Sequence, residues 1–252
     1  MPIQMKSYTS LIILIILSFS TIIYAQDFYI HENGITIVCD DAEIGESGII
    51  DSVIYTKRSK DQITTENAST SCTSGIEDMT DIFYYKRSFN EDISHWDVSL
   101  VKNMYRMFYT AESFNQDMSH WDVSSVTKMG YMFSKTSFNQ DISRWDVSSV
   151  TNMENLFYES QFNQPIENWD VNSVTSMRAM FTGTVFNQDI SDWDVSSVND
   201  MDYMFIGASA FNQNLKKWCV SNISNDPKYF SNGSPLTEEN KPKWGTCPSK
   251  VY

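Results

Sequence analysis

His95 and His120 stand at the same point of two adjacent copies of one phrase, each directly before a tryptophan. Two imidazoles with carboxylates nearby are the beginning of a zinc site. The same slot holds Arg144, Asn168, Asp192 and Lys217 in later copies, so no third ligand is specified and the slot reads as solvent-facing. Two columns of aspartates raise calcium instead: Asp97, Asp122, Asp146, Asp170 and Asp194 after each tryptophan, and Asp92, Asp117, Asp141 and Asp189 upstream. Calcium takes about six to eight oxygens. Pro165 and Asn214 interrupt the upstream column, and the glycine-rich spacing of calcium β-rolls is absent. His31 lies outside the repeats without a nucleophile partner, and no nucleophile-elbow, zincin or P-loop phrase occurs. The reading is a chain that is not an enzyme and carries no cofactor.

What remains is a set of positions whose chemistry changes from copy to copy. Between paired methionines stand Tyr105 with Arg106, Gly130 with Tyr131, Glu154 with Asn155, Arg178 with Ala179, and Asp202 with Tyr203. With the slot before tryptophan, these form two stripes. The candidate binding surface is His95, Tyr105, Arg106, His120, Tyr131, Arg144, Glu154, Asn168, Arg178, Asp192, Tyr203 and Lys217. Each residue taken singly is equally well a solvated position free to drift.

The element that must carry the stripes is an internal repeat. Tryptophans stand at 96, 121, 145, 169, 193 and 218, a period of 24 or 25. The phenylalanine of Phe-Asn keeps step at 89, 114, 138, 162, 186 and 211, and a second phenylalanine closes M-x-x-[MLI]-F at 83, 108, 133, 157, 181 and 205. Recurring apolar positions are a lattice of stacked interior side chains, each worth roughly 1.5–3 kcal/mol when fully buried. One copy cannot close a core alone, so copies lean on one another. V-S-S-V-T-x-M-x-x-M-F spaces apolar residues by three and four and predicts a short helix, capped by the aspartate after tryptophan. Q-D-I-S-x-W alternates and predicts a short strand. An all-strand β-helix is the competing plan, but its corners are commonly glycine-rich and glycine is scarce here. The asparagine column from Asn90 to Asn212 is assigned to pairing with backbone groups.

At 252 residues and 41% hydrophobic, the chain has ample material for a core. Its net charge of −14 argues against nucleic-acid binding and docking on an anionic membrane. Residues 1–25 read as a secretory signal peptide: Lys6, an apolar run from Leu11 to Phe19, and Ala25 at the cleavage point. No membrane insertion is expected after cleavage. Cys39, Cys72, Cys219 and Cys247 then enter an oxidising compartment. Their positions favour Cys39–Cys72 and Cys219–Cys247, one pair on each side of the repeats; a zinc site of four thiolates is the alternative.

The phrases FNQDMSHWDVSSVTKM, FNQDISRWDVSSVTNM and FNQDISDWDVSSV resemble the repeat of BspA-like leucine-rich-repeat surface proteins, a group sharing a domain first noted in Mycoplasma surface proteins. The ending from Phe211 to Cys247 and the segment before the repeats are similar to those of Bacteroidetes members. The resemblance implies a secreted or surface-displayed interaction module, in a family with some members that adhere to host or extracellular-matrix proteins, and implies no catalytic residues; the function expected here is noncovalent recognition of, or adhesion to, an extracellular protein or glycan. The expected fold is an α/β repeat solenoid, leucine-rich-repeat-like, with one short strand and one short helix per 24–25-residue rung and disulfide-closed caps at both ends. Residues 26–75 form the N-terminal cap, 76–230 the solenoid, and 219–252 a C-terminal cap overlapping the last rung. The rival function is structural: copies associating with one another in a cell envelope or biofilm matrix.

Overall fold

A computed structural model describes residues 27–248, so the signal-peptide reading lies outside the described residues. All five strands among the described residues fall before the repeats. β1 (Tyr29–Ile30) pairs antiparallel with β2 (Ile37–Val38). β3 (Ser47–Ile50) and β4 (Val53–Lys57) form a hairpin, and β5 (Ser71–Cys72) lies parallel to β4, giving the order β3-β4-β5. Asp51 and Ser52, at φ 48° and 70°, make the two-residue turn that matches the twist of a hairpin. Phe28, Ile37, Cys39, Ala42 and Cys72 form a small core of their own, and Cys39 and Cys72 are joined by a disulfide. The second disulfide joins Cys219 and Cys247. Both are the pairs that the cysteine positions favoured, and no free cysteine remains.

The repeats overturn the expected α/β leucine-rich-repeat-like solenoid. Among the described residues there is no α-helix; the helical pieces are three single turns of 3-10 type, all outside the repeats, and the repeats contain no strand. The M-x-x-M-F phrase is a run of successive turns. Arg106, Tyr131, Asn155, Ala179 and Tyr203 have φ of 52–65°, and four residues later Thr110, Lys135, Glu159, Gly183 and Gly207 have φ of 51–69°. A left-handed residue every fourth position prevents a helix from propagating.

Alternate amides explain the arrangement. Met129, Tyr131, Phe133 and Lys135 donate to the carbonyls of Asn152, Glu154, Leu156 and Tyr158 in the next rung at 2.7–3.1 Å. Between them, Met132 and Ser134 donate back to Met129 and Tyr131, three residues earlier. The i,i+3 spacing of buried methionines is therefore that of consecutive turns. Strand-like pairing is reduced to single parallel bridges, running Asp78, Asn103, Lys128, Asn152, Ser176 and Asp200.

The expected strand before each tryptophan is likewise a turn. The Trp145 amide donates to the Ile142 carbonyl, and the Ser143 amide to Asp141 Oδ1. The aspartates after tryptophan cap no helix: Asp122 and Asp146 each accept from the amide and hydroxyl of the serine two residues on.

Stacking supplies the core. Closing phenylalanines lie 5.6–5.8 Å apart from Phe83 to Phe205, and Phe-Asn phenylalanines 5.7–6.2 Å apart from Phe89 to Phe211. Within a rung the two rings sit face to face at 3.7–4.1 Å. All six recurring tryptophans are buried, and each indole N–H donates to a carbonyl in the preceding turn: Ala68, Ile93, Met118, Ile142, Ile166 and Ile190, at 2.9–3.2 Å.

A polar ladder runs beside this core. Asn115, Asn139, Asn163, Asn187 and Asn212 donate their amides to the side-chain oxygen of the asparagine one rung back, at 2.8–3.1 Å. The C-terminal segment ends the stack by imitation: Thr237 donates to Asn212 Oδ1, while Lys228, Phe230 and Asn232 offer carbonyls to Tyr203, Phe205 and Gly207.

Candidate recognition surface

The turns of M-x-x-M-F point methionine and phenylalanine inward and leave the intervening residues outside. Tyr105, Arg106, Tyr131, Glu154, Arg178 and Tyr203 are accordingly all half-buried on one face. The same face gathers residues that the repeat comparison missed. Tyr84, Tyr109 and Tyr158 directly follow the closing phenylalanine, and Tyr85 and Lys135 come one place later. Tyr84 stacks on Tyr109 at 5.4 Å and meets Tyr85 at 4.6 Å; Tyr109 meets Tyr131 at 6.0 Å, and Tyr131 meets Tyr105 at 5.6 Å. An aromatic directly after the closing phenylalanine in three copies was the available signal.

Gly130 makes room for this array. A methyl group there would stand 3.1 Å from the Tyr105 ring, closer than ordinary van der Waals contact. The guanidinium of Arg106 lies 4.9 Å from the Tyr84 ring centre and 5.1 Å from that of Tyr105, and Arg178 lies 4.6 Å from Tyr203. Both positions suit a cation over an aromatic face.

The cations are also paired. Arg106 makes a two-pronged bridge to Asp81 at 2.8 and 2.9 Å, Arg178 reaches Asp202 at 3.1 Å, and Lys135 reaches Glu159 at 3.3 Å. The Asp81 hydrogen bond raises the Arg106 pKa above its ordinary value. Burial raises the phenols of Tyr105, Tyr109 and Tyr131, and Tyr158 is pushed up to about 12, first by its hydrogen bond to Glu159 and then by burial. The phenols therefore stay protonated at neutral pH, as donors and acceptors on rings with apolar faces. With the positive charges balanced locally, the arrangement suits a neutral ligand offering both apolar faces and hydroxyl or amide groups.

The slot before tryptophan behaves differently. His120, Arg144, Asn168, Asp192 and Lys217 are exposed, and Lys217 reaches Asp192 at 2.6 Å. Here the expectation for His95 fails, because it is buried. Its Nε2 donates to the Ser71 carbonyl at 3.1 Å, and its ring lies 5.1 Å from that of Tyr55. The first rung abuts the N-terminal segment, whose β5 covers the slot that later rungs leave open. Burial lowers the His95 pKa, against opposing effects of the Ser71 carbonyl and Asp92.

His31 and His120 line a cleft of about 300 Å³ at this junction together with Asp40, Asp97 and Asp122. Among the described residues no group of three or more histidines, cysteines or acidic residues is assembled that could hold a metal ion. Nor is any helix among them long and apolar enough to cross a membrane.

Comparison with known protein families finds a match over most of the chain. The family described as "Mycoplasma protein of unknown function, DUF285" matches residues 54–161 and again 135–244, and this family is related to BspA-like surface repeat proteins. No curated protein and no solved structure matches the chain.

Proposed function

The chain belongs to the DUF285 family, and we propose that this member recognises an extracellular protein or glycan by noncovalent contact through its tyrosine-lined face. The observation that carries the reading is the run of touching rings from Tyr85 through Tyr84, Tyr109 and Tyr131 to Tyr105, with Arg106 seated among them. Tyrosine supplies large contact area at low entropic cost, and tyrosine and arginine both concentrate where proteins bind partners. The rigid stack beneath holds the rings in place before any ligand arrives, so less ordering cost falls on binding.

A secreted or surface location accords with the leader-like residues 1–25 and with two disulfides, which persist in oxidising compartments. The repeat phrase and its ending support a BspA-like member of Bacteroidetes type. The test is to screen the purified protein against arrayed extracellular proteins and glycans, and to repeat any positive with Tyr109→Ala and Tyr131→Ala. Loss of binding in both, with Arg144→Ala unaffected, is the expected result. Binding that survives both substitutions refutes the reading.

A further inference from the structure

The N-terminal segment concentrates exposed apolar side chains that are spread more thinly over the repeats. Eleven large hydrophobic side chains are exposed among the described residues, and Tyr29, Ile30, Ile44, Ile49, Val53 and Ile54 are six of them, all within the first thirty described positions. Ile49 and Ile54 are register partners on β3 and β4, so they share a face, and they are 70% and 60% exposed. Ser47 and Thr56 continue that face, their hydroxyls 2.8 Å apart.

The opposite face of the hairpin is occupied. Ile50 and Tyr55 pack on the small core, and a methyl group on Gly48 would fall 2.4 Å from the Phe28 ring. Among the described residues β3 is the outermost strand of its sheet, with no strand on its outer edge. Its residues Ser47–Ile50 contain neither charge nor proline, the usual devices that keep an edge from pairing.

The charge around this edge is one-sided. From residue 27 to residue 56 the sequence has no lysine or arginine; the nearest base, Lys57 at the far end of β4, donates its Nζ to the Asp40 carbonyl at 2.9 Å and makes no ion pair among the described residues. Asp40, Asp41, Glu43, Glu46 and Asp51 are all exposed, and none joins an ion pair among the described residues. In the repeats, by contrast, acids such as Asp81, Glu112 and Asp192 are matched by bases in the neighbouring rung.

From this juxtaposition we propose that the β3 edge and the Ile49–Ile54 face dock an extended protein segment with an apolar centre and lysine or arginine flanks. The segment adds a strand to β3 through backbone hydrogen bonds, lays alternate apolar side chains on Ile49 and Ile54, and sets its basic ends against Glu46 and Asp51. A second copy of the chain fits poorly, because antiparallel pairing of β3 with itself about its centre brings Glu46 of one copy against Asp51 of the other.

The test uses the purified protein with both disulfides intact and a fluorescent peptide of alternating valine and threonine ending in lysine pairs. Fluorescence polarisation should show saturable binding that weakens as salt is added. The same peptide flanked by glutamates should bind at least about tenfold more weakly, as should a version with alternate backbone amides methylated. Ile49→Ser combined with Ile54→Ser should weaken binding by at least about tenfold with little change in the melting temperature, both side chains being exposed. Tyr109→Ala should leave peptide binding intact, which separates this site from the tyrosine face. Equal binding of the glutamate-flanked peptide, or undiminished binding in the double variant, overturns the proposal. So does a dimer in light scattering that the double variant converts to monomer, since the second copy is then the occupant.

Discussion

Residues 29–72 and the rungs from 78 to 230 solve one problem, a core for a short chain segment, in opposite ways. The N-terminal segment uses regular sheet, a separate small core and a disulfide, and leaves isoleucines exposed on an unpaired edge. The stack has almost no regular secondary structure, yet one continuous cluster runs from Ile63 to Leu236 with most members wholly buried. Backbone regularity and core quality are thus separable. What the stack needs is partners for its backbone amides, and turns alternating with rung-to-rung bonds supply them along M-x-x-M-F without helix or strand.

That contrast can be broken in several places. Trp145→Ala removes a buried ring whose N–H bonds the Met118 carbonyl. Chemical denaturation should show a loss of about 3–5 kcal/mol, felt across the whole stack. Replacing Cys39 and Cys72 by serine should cost about 3–4 kcal/mol, from the loop-entropy model for a separation of 33 residues. Hydrogen exchange should place that loss in the N-terminal segment while amides such as Phe133 stay protected. Asn139→Ala deprives the Asn163 amide of its acceptor and should cost about 1–3 kcal/mol, with Asn139→Asp recovering much of it because a carboxylate oxygen accepts equally well.

A pH effect sharpens the boundary between the two regions. Because burial holds the folded-state pKa of His95 below its ordinary value, the unfolded chain binds the proton more readily. The stability contributed by neutral His95 is therefore present above about pH 6.5, the ordinary histidine value, and is lost as the pH falls towards the lowered folded pKa. Melting curves at falling pH should show this decline, and His95→Gln should flatten it. The smallest effect is expected at Arg144→Ala, an exposed residue in the equivalent slot of a later rung, where stability should change by no more than about 0.5 kcal/mol.

The sequence was informative wherever a residue type recurs because of what it touches. Phenylalanine, tryptophan and asparagine repeat because each meets its own kind or the same backbone group one rung away, and the cysteines flank the repeats as their pairing requires. The helix was misread because apolar residues three apart are buried by a helix and by consecutive turns alike. The distinguishing residues Arg106, Tyr131, Ala179 and Tyr203 are types that do not announce a left-handed backbone. Asn155 and the register of Gly183, Gly207 and Gly233, all with positive φ, hinted at it. His95 was misjudged because periodicity treats the end rung like its neighbours, whereas its surroundings are set by the segment packed against it. Tyr84, Tyr109 and Tyr158 were overlooked because the slot after the closing phenylalanine also holds serine, threonine and isoleucine.

The most direct measurement removes one rung. Excising Phe138 to Gln161, a 24-residue unit, joins Ser137 to Phe162 and brings together surfaces that already match: Asn115 would meet Asn163, and Phe133 would meet Phe181. Denaturant unfolding followed by tryptophan fluorescence should then show a single cooperative transition, with hydrogen exchange still protecting the amides of the remaining ladder. Excising only residues 138–149 breaks that match and should give a chain without a folded baseline. If the full-rung deletion unfolds as readily as the half-rung deletion, the rungs are not interchangeable and this description of the stack is wrong.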